Sequence, residues 1–412
     1  MTCTGGDDWA PYSSTLDRHS SLPGLNSSHT FSKGIVRSVY LAVSSENTAI
    51  IEQVTPFVHY LGEYPTKPLR SETAGPWRVE VSIQLLTSST SKGTLKIQGN
   101  WSEAATVELA VNAGAAGRRE LRVNLTAEHP DLWWPNSYGG QSMYTVTATF
   151  SPSDTGQSQV VAGTDVVQAT ARMGFRYSVL VTGNDTDVNF REAAATGDGS
   201  GGHTMMIRVN GAPVLGQGSN VIPFDELEGR LSALNTRRLV QSMQAAHYTM
   251  VRIWGGGIVQ SREFYDALDE AGILCNQDMM FTGSHSPPPV GSEPSVFAIF
   301  EAEIRGVISQ LARHPSIVLW NGCNECGGGA GQITDFVLPI VAMADPTRPI
   351  WPAAPAHNAW KSGVNTLTGY PNGKKLTLGG PPVNETHGPY QVRFEVHFPS
   401  CSLQFWAELG LC

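Results

Sequence analysis

The stretch Trp320-Asn321-Gly322-Cys323-Asn324-Glu325 puts an amide and a carboxyl group side by side just after the apolar run Ile317-Val318-Leu319. A parallel strand buried on both faces ends its apolar run abruptly. The first polar residues beyond it then lie at the carboxyl edge of the sheet, where barrel enzymes keep their chemistry. A Glu at that edge suits a general acid, with the adjacent Asn orienting a substrate hydroxyl. The dipeptide alone also reads as a loop pair capping the next helix. Cys323 and Cys326 have the C-x-x-C spacing, yet the remaining cysteines supply no second ligand pair, so no zinc site is expected. No motif calls for a metal or another cofactor.

The elements that must position such a site follow a change of pattern along the chain. Before about residue 175 the sequence has period-two apolar segments: Val79, Val81, Ile83 and Leu85; then Leu121, Val123 and Leu125; then Tyr144, Val146, Ala148 and Phe150. Strands of this kind, broken by Gly, Ser and Asn, predict an antiparallel β-sandwich. A further short strand is expected at Ser38–Val43. From about 205 strands and helices alternate. Met206–Val209 leads across Asn210-Gly211 to Val214-Leu215, followed by a helix with Leu239, Met243 and Ala246 and the strand Met250–Trp254. A helix with Phe264, Leu268 and Ala271 ends at Gly272 before Ile273–Cys275. A helix with Phe297, Phe300, Ile304, Val307 and Leu311 leads into Ile317–Trp320. Phe336, Ile340 and Met343 mark one more helix, and Pro349–Trp351, Phe394–Phe398 and Leu403–Ala407 further strands. Seven such units in sequence predict a parallel barrel one unit short of eight.

Composition excludes other classes. The 412 residues are too many for one core, and 41% hydrophobic with 15% charged residues describes a globular chain rather than a disordered one. A net charge of -9 without any Lys/Arg cluster argues against a nucleic-acid partner. No run of about eighteen apolar residues exists to span a membrane. The start lacks the basic and apolar regions of a signal peptide. Asn-X-Ser/Thr sequons at Asn26, Asn100, Asn124, Asn184 and Asn384 nevertheless suit a lysosomal or secreted glycoprotein.

Ala246 to Gly257, Glu263-Phe264-Tyr265, His314-Pro315-Ser316-Ile317 and Trp320 to Glu325 together resemble the β-mannosidase branch of glycoside hydrolase family 2. The similarity continues in the family's order at Asp8-Trp9-Ala10-Pro11, Gly34 to Leu41, Leu132-Trp133-Trp134-Pro135, Gly174-Phe175-Arg176, Gly218-Ser219-Asn220 with Pro223, and Glu395-Val396-His397-Phe398. The chain differs from the family's usual pattern at Asp7, Gln217, Val221, Thr249 and Asn276.

The resemblance implies three parts: the end of a galactose-binding-like jelly roll at 1–42, an immunoglobulin-like sandwich at 43–176, and a (β/α)8 TIM barrel at 177–412 without its last unit. It also implies a chain truncated at both ends that folds poorly alone. It implies a retaining exo-β-mannosidase that removes terminal β-mannose from oligosaccharides. Alternatives are an exo-β-glucosaminidase or endo-β-mannosidase of the same family, or a truncated non-catalytic relative. Glu325 falls on the acid/base and Asn324 on the amide that contacts the 2-hydroxyl. Glu408, in Ala407-Glu408-Leu409-Gly410, is the counterpart of the nucleophile. A retaining mechanism wants those two carboxyls about 5 to 5.5 Å apart. Asp8 matches the residue that reaches the sugar from the first domain, and His397 a residue at the barrel mouth. Trp254 suits stacking on a pyranose face or core packing, and Arg252 a hydroxyl contact or a structural ion pair. Oligomeric state is not indicated.

Overall fold

The computed structural model describes residues 39–43, 47–70, 72, 74–153, 166–181, 184–189, 206–225, 231–282, 292–325, 333–351 and 353–354. Strands β1 (Ile50–Tyr60), β2 (Trp77–Thr87) and β5 (Gly117–Ala127) form one antiparallel sheet in the order β1-β2-β5. Strands β3 (Lys92–Gly99), β4 (Thr106–Asn112), β6 (Tyr144–Pro152) and β7 (Val167–Met173) form a second, ordered β4-β3-β6-β7. Alternation drives their pairing, because one face of each strand is apolar and needs a cover. Trp77, Val79, Val81, Ile83 and Leu85 of β2 are fully buried against Leu95, Ile97, Val146, Ala148 and Phe150 of the other sheet. Each buried Val, Ile, Leu or Phe among them contributes about 1.5–3 kcal/mol. Residues 39–43 form no strand and Val39, Tyr40, Leu41 and Val43 are exposed, so the strand expected at Ser38–Val43 is absent from its described part. Those side chains meet no second apolar face.

A small antiparallel sheet, β10-β9-β8, comes next, from β8 (Ser178–Val181), β9 (Met206–Val209) and β10 (Ala212–Val214). The β9-β10 turn places Asn210 at φ 50° and Gly211 at φ 80°, two positive values that an Asn-Gly pair adopts readily in a tight hairpin. These strands therefore do not open the parallel series, as the alternation at 206–215 had suggested.

The parallel sheet starts one strand later. It runs β11 (Gly218–Val221), β12 (Met250–Ile253), β13 (Leu274–Asp278), β14 (Ile317–Asn321) and β15 (Ile350–Trp351), each paired in parallel with the next. The intervening helices are α1 (Ala233–Ala245), α2 (Arg262–Ala271), α3 (Pro294–Leu311) and, after a π turn at Ile333–Val337, α4 (Leu338–Ala344). Gly272 closes α2 in the left-handed conformation expected of a helix-ending glycine. Among the described strands the order is strictly sequential, without the reversal that marks an open doubly wound sheet. Gly218-Ser219-Asn220, without an apolar pattern of its own, opens this sheet. The strand candidates at Phe394–Phe398 and Leu403–Ala407, and residues 1–38, lie outside the described residues.

Sandwich and parallel sheet are joined by buried polar contacts. Trp133 Nε1 donates to Asp269 O (2.8 Å), Asn210 Nδ2 to Trp133 O (2.9 Å), and Arg176 Nε to Pro315 O (2.7 Å). Behind β14, Asp345 is fully buried. It accepts from Trp320 Nε1 (2.8 Å), Arg348 Nη1 (2.7 Å) and both donors of Thr347 (2.9 and 2.6 Å). Burial pushes its carboxyl up, but the Arg348 charge and the Thr347 and Trp320 donors outweigh that and hold it below the ordinary value. A depressed folded value makes this contribution complete above the unfolded carboxylate range and removes it as pH falls through the folded value. Asp345→Asn should destabilise by about 3 kcal/mol near pH 7, because Arg348 is left as an uncompensated buried cation. Denaturant midpoints at pH 7 should show it, and an unchanged midpoint would refute the assignment of Asp345 as the anchor of Trp320.

Candidate functional site

At the carboxyl ends of β12, β13 and β14 one buried cluster gathers the polar side chains. Arg252, in β12, is 7% exposed and Asp278, the last residue of β13, is 0% exposed. Arg252 grips the carboxylate in fork fashion, Nη2 to Oδ2 at 2.6 Å and Nε to Oδ1 at 3.1 Å. Two donors complete the carboxylate: Gly255 N to Oδ2 (2.8 Å) and Asn321 Nδ2 to Oδ1 (2.8 Å). Burial pushes Asp278 up from its ordinary value, against the Arg252 charge and these hydrogen bonds, which favour the anion. Arg252 Nη1 also reaches Asn220 Oδ1 of β11 at 3.4 Å.

The same guanidinium fixes Asn324. Arg252 Nη2 donates to Asn324 Oδ1 at 2.9 Å, and Asn324 Nδ2 donates to Thr282 Oγ1 at 3.0 Å. Its backbone bridges Thr282 on one side and Ala354 on the other, so the chain past β14 is still held between its neighbours. Both ends of the amide and both sides of the backbone are therefore constrained. Glu325 comes next, exposed, with its N–H donating to Ala354 O at 2.8 Å and φ at 55°. A non-glycine residue in the left-handed region is uncommon and collects at functional sites. The turn at Glu325 ends the bridged run that follows β14, and there the chain passes from the buried Asn324 to an exposed residue.

Trp254 follows β12 and is half-buried. Its ring folds over Gly256, where a Cβ would sit 2.3 Å from Trp254 Cζ2. At Gly255 a Cβ would lie 2.4 Å from Phe281 O, 3.0 Å from Asp278 Oδ2 and 3.3 Å from Asn324 Cβ. The Trp-Gly-Gly-Gly run thus has a steric cause: only a bare backbone fits between the Asp278 carboxylate and the Asn324 strand. Gly255→Ala should cost about 1–3 kcal/mol of stability by overpacking and displace the Arg252-Asp278-Asn324 cluster. Unfolding of the variant beside its parent checks this, and equal stability would show that the backbone yields without strain.

The structure brings Arg252, Asn324 and Glu325 to one edge, with Trp254 beside them. Asp8, His397 and Glu408 lie outside the described residues. Arg252 makes the ion pair with Asp278 and bonds to Asn324 and Asn220. Asp278 and Asn321 belong to the site as well, though no motif marks them; the available signal is an Asp at the end of the strand that follows Arg252's own. Two of the positions that depart from the family pattern touch each other: Gln217 N donates to Thr249 Oγ1 (2.8 Å), which in turn donates to Leu215 O (2.5 Å). Cys323 is buried and disulfide-bonded. Among the described residues the one His/Asp/Glu group of metal-site geometry is Asp266, Asp269 and His314, away from this edge. There His314 Nδ1 meets Asp269 Oδ2 at 2.6 Å and Ser316 N donates to Asp269 Oδ1 at 3.1 Å.

Residues 61–176 match the family model described as Glycosyl hydrolases family 2. The chain is 32% identical over 269 residues to the β-mannosidase of Capra hircus, an alignment covering 60% of this chain and 28% of that protein. It is 31% identical over 195 residues to the β-mannosidase of Mus musculus, covering 47% and 19%. With β-mannosidase B of Emericella nidulans the identity is 28% over 204 residues, covering 50% and 21%. The alignments thus span well under a third of the length of these curated relatives. Among solved structures, the β-D-mannosidase of Dictyoglomus thermophilum superposes with a TM-score of 0.58 at 24% identity, covering 77% of this chain and 37% of that one. An exo-chitosanase of Amycolatopsis orientalis gives 0.55 at 20% identity, covering 77% and 34%. At these identities the structural likeness speaks to the fold.

Proposed function

This chain belongs to glycoside hydrolase family 2, and we propose that it is a retaining exo-β-mannosidase acting on terminal β-mannose of oligosaccharides. The observation that carries the proposal is Glu325. It stands exposed at the carboxyl edge of five sequential parallel strands, one residue after an amide held rigidly by Arg252 and Thr282.

The chemistry assigned to it runs in two displacements. A carboxylate, assigned to Glu408 on the sequence resemblance alone, attacks the anomeric carbon. Glu325 gives its proton to the departing glycosidic oxygen. A glycosyl ester forms with inversion. Glu325, now a carboxylate, takes a proton from water as that water attacks the same carbon, and a second inversion restores the β configuration. Asn324 presents its amide to the 2-hydroxyl, and Trp254 offers an apolar face to the ring. Asp8 and His397 are assigned further sugar contacts.

Hydrolysis of p-nitrophenyl β-mannoside by the 412-residue chain tests the proposal, beside the corresponding β-glucosaminide and a 2-fluoro mannoside that traps the glycosyl ester. Turnover of the mannoside with label on Glu408 supports it. Preference for the glucosaminide would move the substrate class, and absence of turnover and label in a folded chain would overturn the assignment. A lysosomal or secreted location is part of the proposal, supported by the exposed sequon residues Asn100, Asn124 and Asn184 and by the Cys323 disulfide. A mass unchanged by deglycosylation of the protein from its native cells would count against it.

A further inference from the structure

Where the sandwich meets the turn between α3 and β14, a small recess is lined by Arg176, Arg313 and Arg348 together with Gly174, Pro315 and Thr347. It has room for about one water-sized particle. Three arginines around so small a space call for an accounting of their charge.

Arg348 is compensated, since its Nη1 donates to Asp345 Oδ2 at 2.7 Å and its other nitrogens to the carbonyls of Ile317, Ala312 and His314. Arg176 is not. It is 5% exposed, and its donors reach only neutral acceptors: Pro315 O (2.7 Å), Ser178 Oγ (2.9 Å) and Ile317 O. Arg313 has a side chain 12% exposed, makes one ion contact, to Asp266 Oδ1 at 3.6 Å, and among the described residues forms no hydrogen bond. That carboxylate is shared, because Asp266 Oδ2 also lies 3.2 Å from Arg262 Nε.

A guanidinium does not shed its proton in a protein, so Arg176 remains a buried cation whose contacts supply dipoles and no opposite charge. Burial first, and then the charge of Arg348, act against its protonated form, while Asp345 and Asp269 favour it from a distance. Water in the recess would add one more dipole. A monatomic halide is larger than a water, so seating it needs the long arginine side chains to give slightly, but it would add the missing charge and accept from Arg176 and Arg313 at once.

We infer that this recess is a binding site for a small inorganic anion of halide size, such as chloride, which supplies the counter-charge that Arg176 lacks and ties the sandwich to the parallel sheet. The site lies behind the sheet and is independent of the catalytic proposal.

Thermal unfolding of the 412-residue chain at constant ionic strength tests it, with sodium chloride, bromide or gluconate as the salt. Gluconate is too large to enter. Chloride and bromide should raise Tm by about 3 °C over gluconate, saturating with concentration as a single site does. Arg176 is buried enough that its variants risk misfolding, so the second measurement uses Arg313→Gln. That change removes a cavity-lining charge without breaking a hydrogen bond among the described residues, and it should cut the halide shift at least by half. Bromide-grown crystals should show an anomalous peak between Arg176 and Arg313. Equal Tm in all three salts, a salt effect that neither saturates nor responds to Arg313→Gln, or density in the recess without anomalous signal would overturn the inference in favour of water.

Discussion

Glu325→Gln should lower kcat/KM by roughly a thousandfold on a β-mannoside with a poor leaving group, within the 10²–10⁴ range of general acid–base catalysis. That corresponds to about 4 kcal/mol of transition-state stabilisation. The amide keeps the shape of the carboxylate and can keep the backbone bond from Glu325 N to Ala354 O, so the fold should be unaffected. Because the side chain is exposed, Tm should stay within about 1 °C of the parent. The loss should depend on the substrate. A p-nitrophenyl leaving group departs without a proton, so the first displacement survives better than it does with an alkyl mannoside. The second still lacks its base, and added azide, which needs no deprotonation, should restore turnover and yield a mannosyl azide. A variant as fast as its parent on an alkyl mannoside would remove Glu325 from the mechanism.

Much of the fold was open to a reader of the sequence, for a physical reason that differs from strand to strand. In β2 the alternation of Val79, Val81, Ile83 and Leu85 announces a strand with one buried face, and that face is fully buried. The first strand escaped notice. Pro56 interrupts Ile50–Tyr60, and a proline in a run argues against a central strand. β1 tolerates it because, among the described residues, it is the outer strand of its sheet and pairs only with β2. β11 was hidden more thoroughly. Gly218-Ser219-Asn220-Val221 has no apolar pattern, and it is extended because β12 pairs alongside it in register from Met250 to Ile253. A Cβ at Gly218 would lie 1.7 Å from Met250 O, so the glycine that looks like a loop residue is what permits the pairing.

The site was legible where polarity follows an apolar run and obscure where it does not. Asn324 and Glu325 stand out because Ile317, Val318 and Leu319 precede them. Arg252 stands out because it is charged between Val251 and Ile253. Asp278 follows Asn276 and Gln277, so three polar residues in a row look like a loop already begun. They remain strand because β12 and β14 flank them, and Gln277 is satisfied in the core by the Tyr265 hydroxyl at 2.7 Å. Long-range pairing of that kind leaves no local trace in the sequence.

Asp278→Ala should be the most damaging single change outside Glu325. It strips Arg252 of its carboxylate partner and leaves Asn220 and Asn324 oxygens around a buried guanidinium. Loss of one partner of a buried pair costs about 3–5 kcal/mol, which denaturant midpoints will register. Activity should fall by a separate route. Arg252 Nη2 is shared between Asp278 and Asn324, so a guanidinium released from one will draw the other out of place, and a displacement of about 1 Å at a site of this kind costs on the order of a hundredfold. The double variant Arg252→Met with Asp278→Leu separates the two effects. An apolar pair of similar volume in that buried place should recover much of the stability while leaving kcat depressed, because Asn324 Oδ1 then has no guanidinium to hold it. If the double variant regained activity along with stability, Asp278 and Arg252 would be shown to act on folding alone, and Asn324 and Glu325 would have to be positioned by their backbone bridges to Thr282 and Ala354.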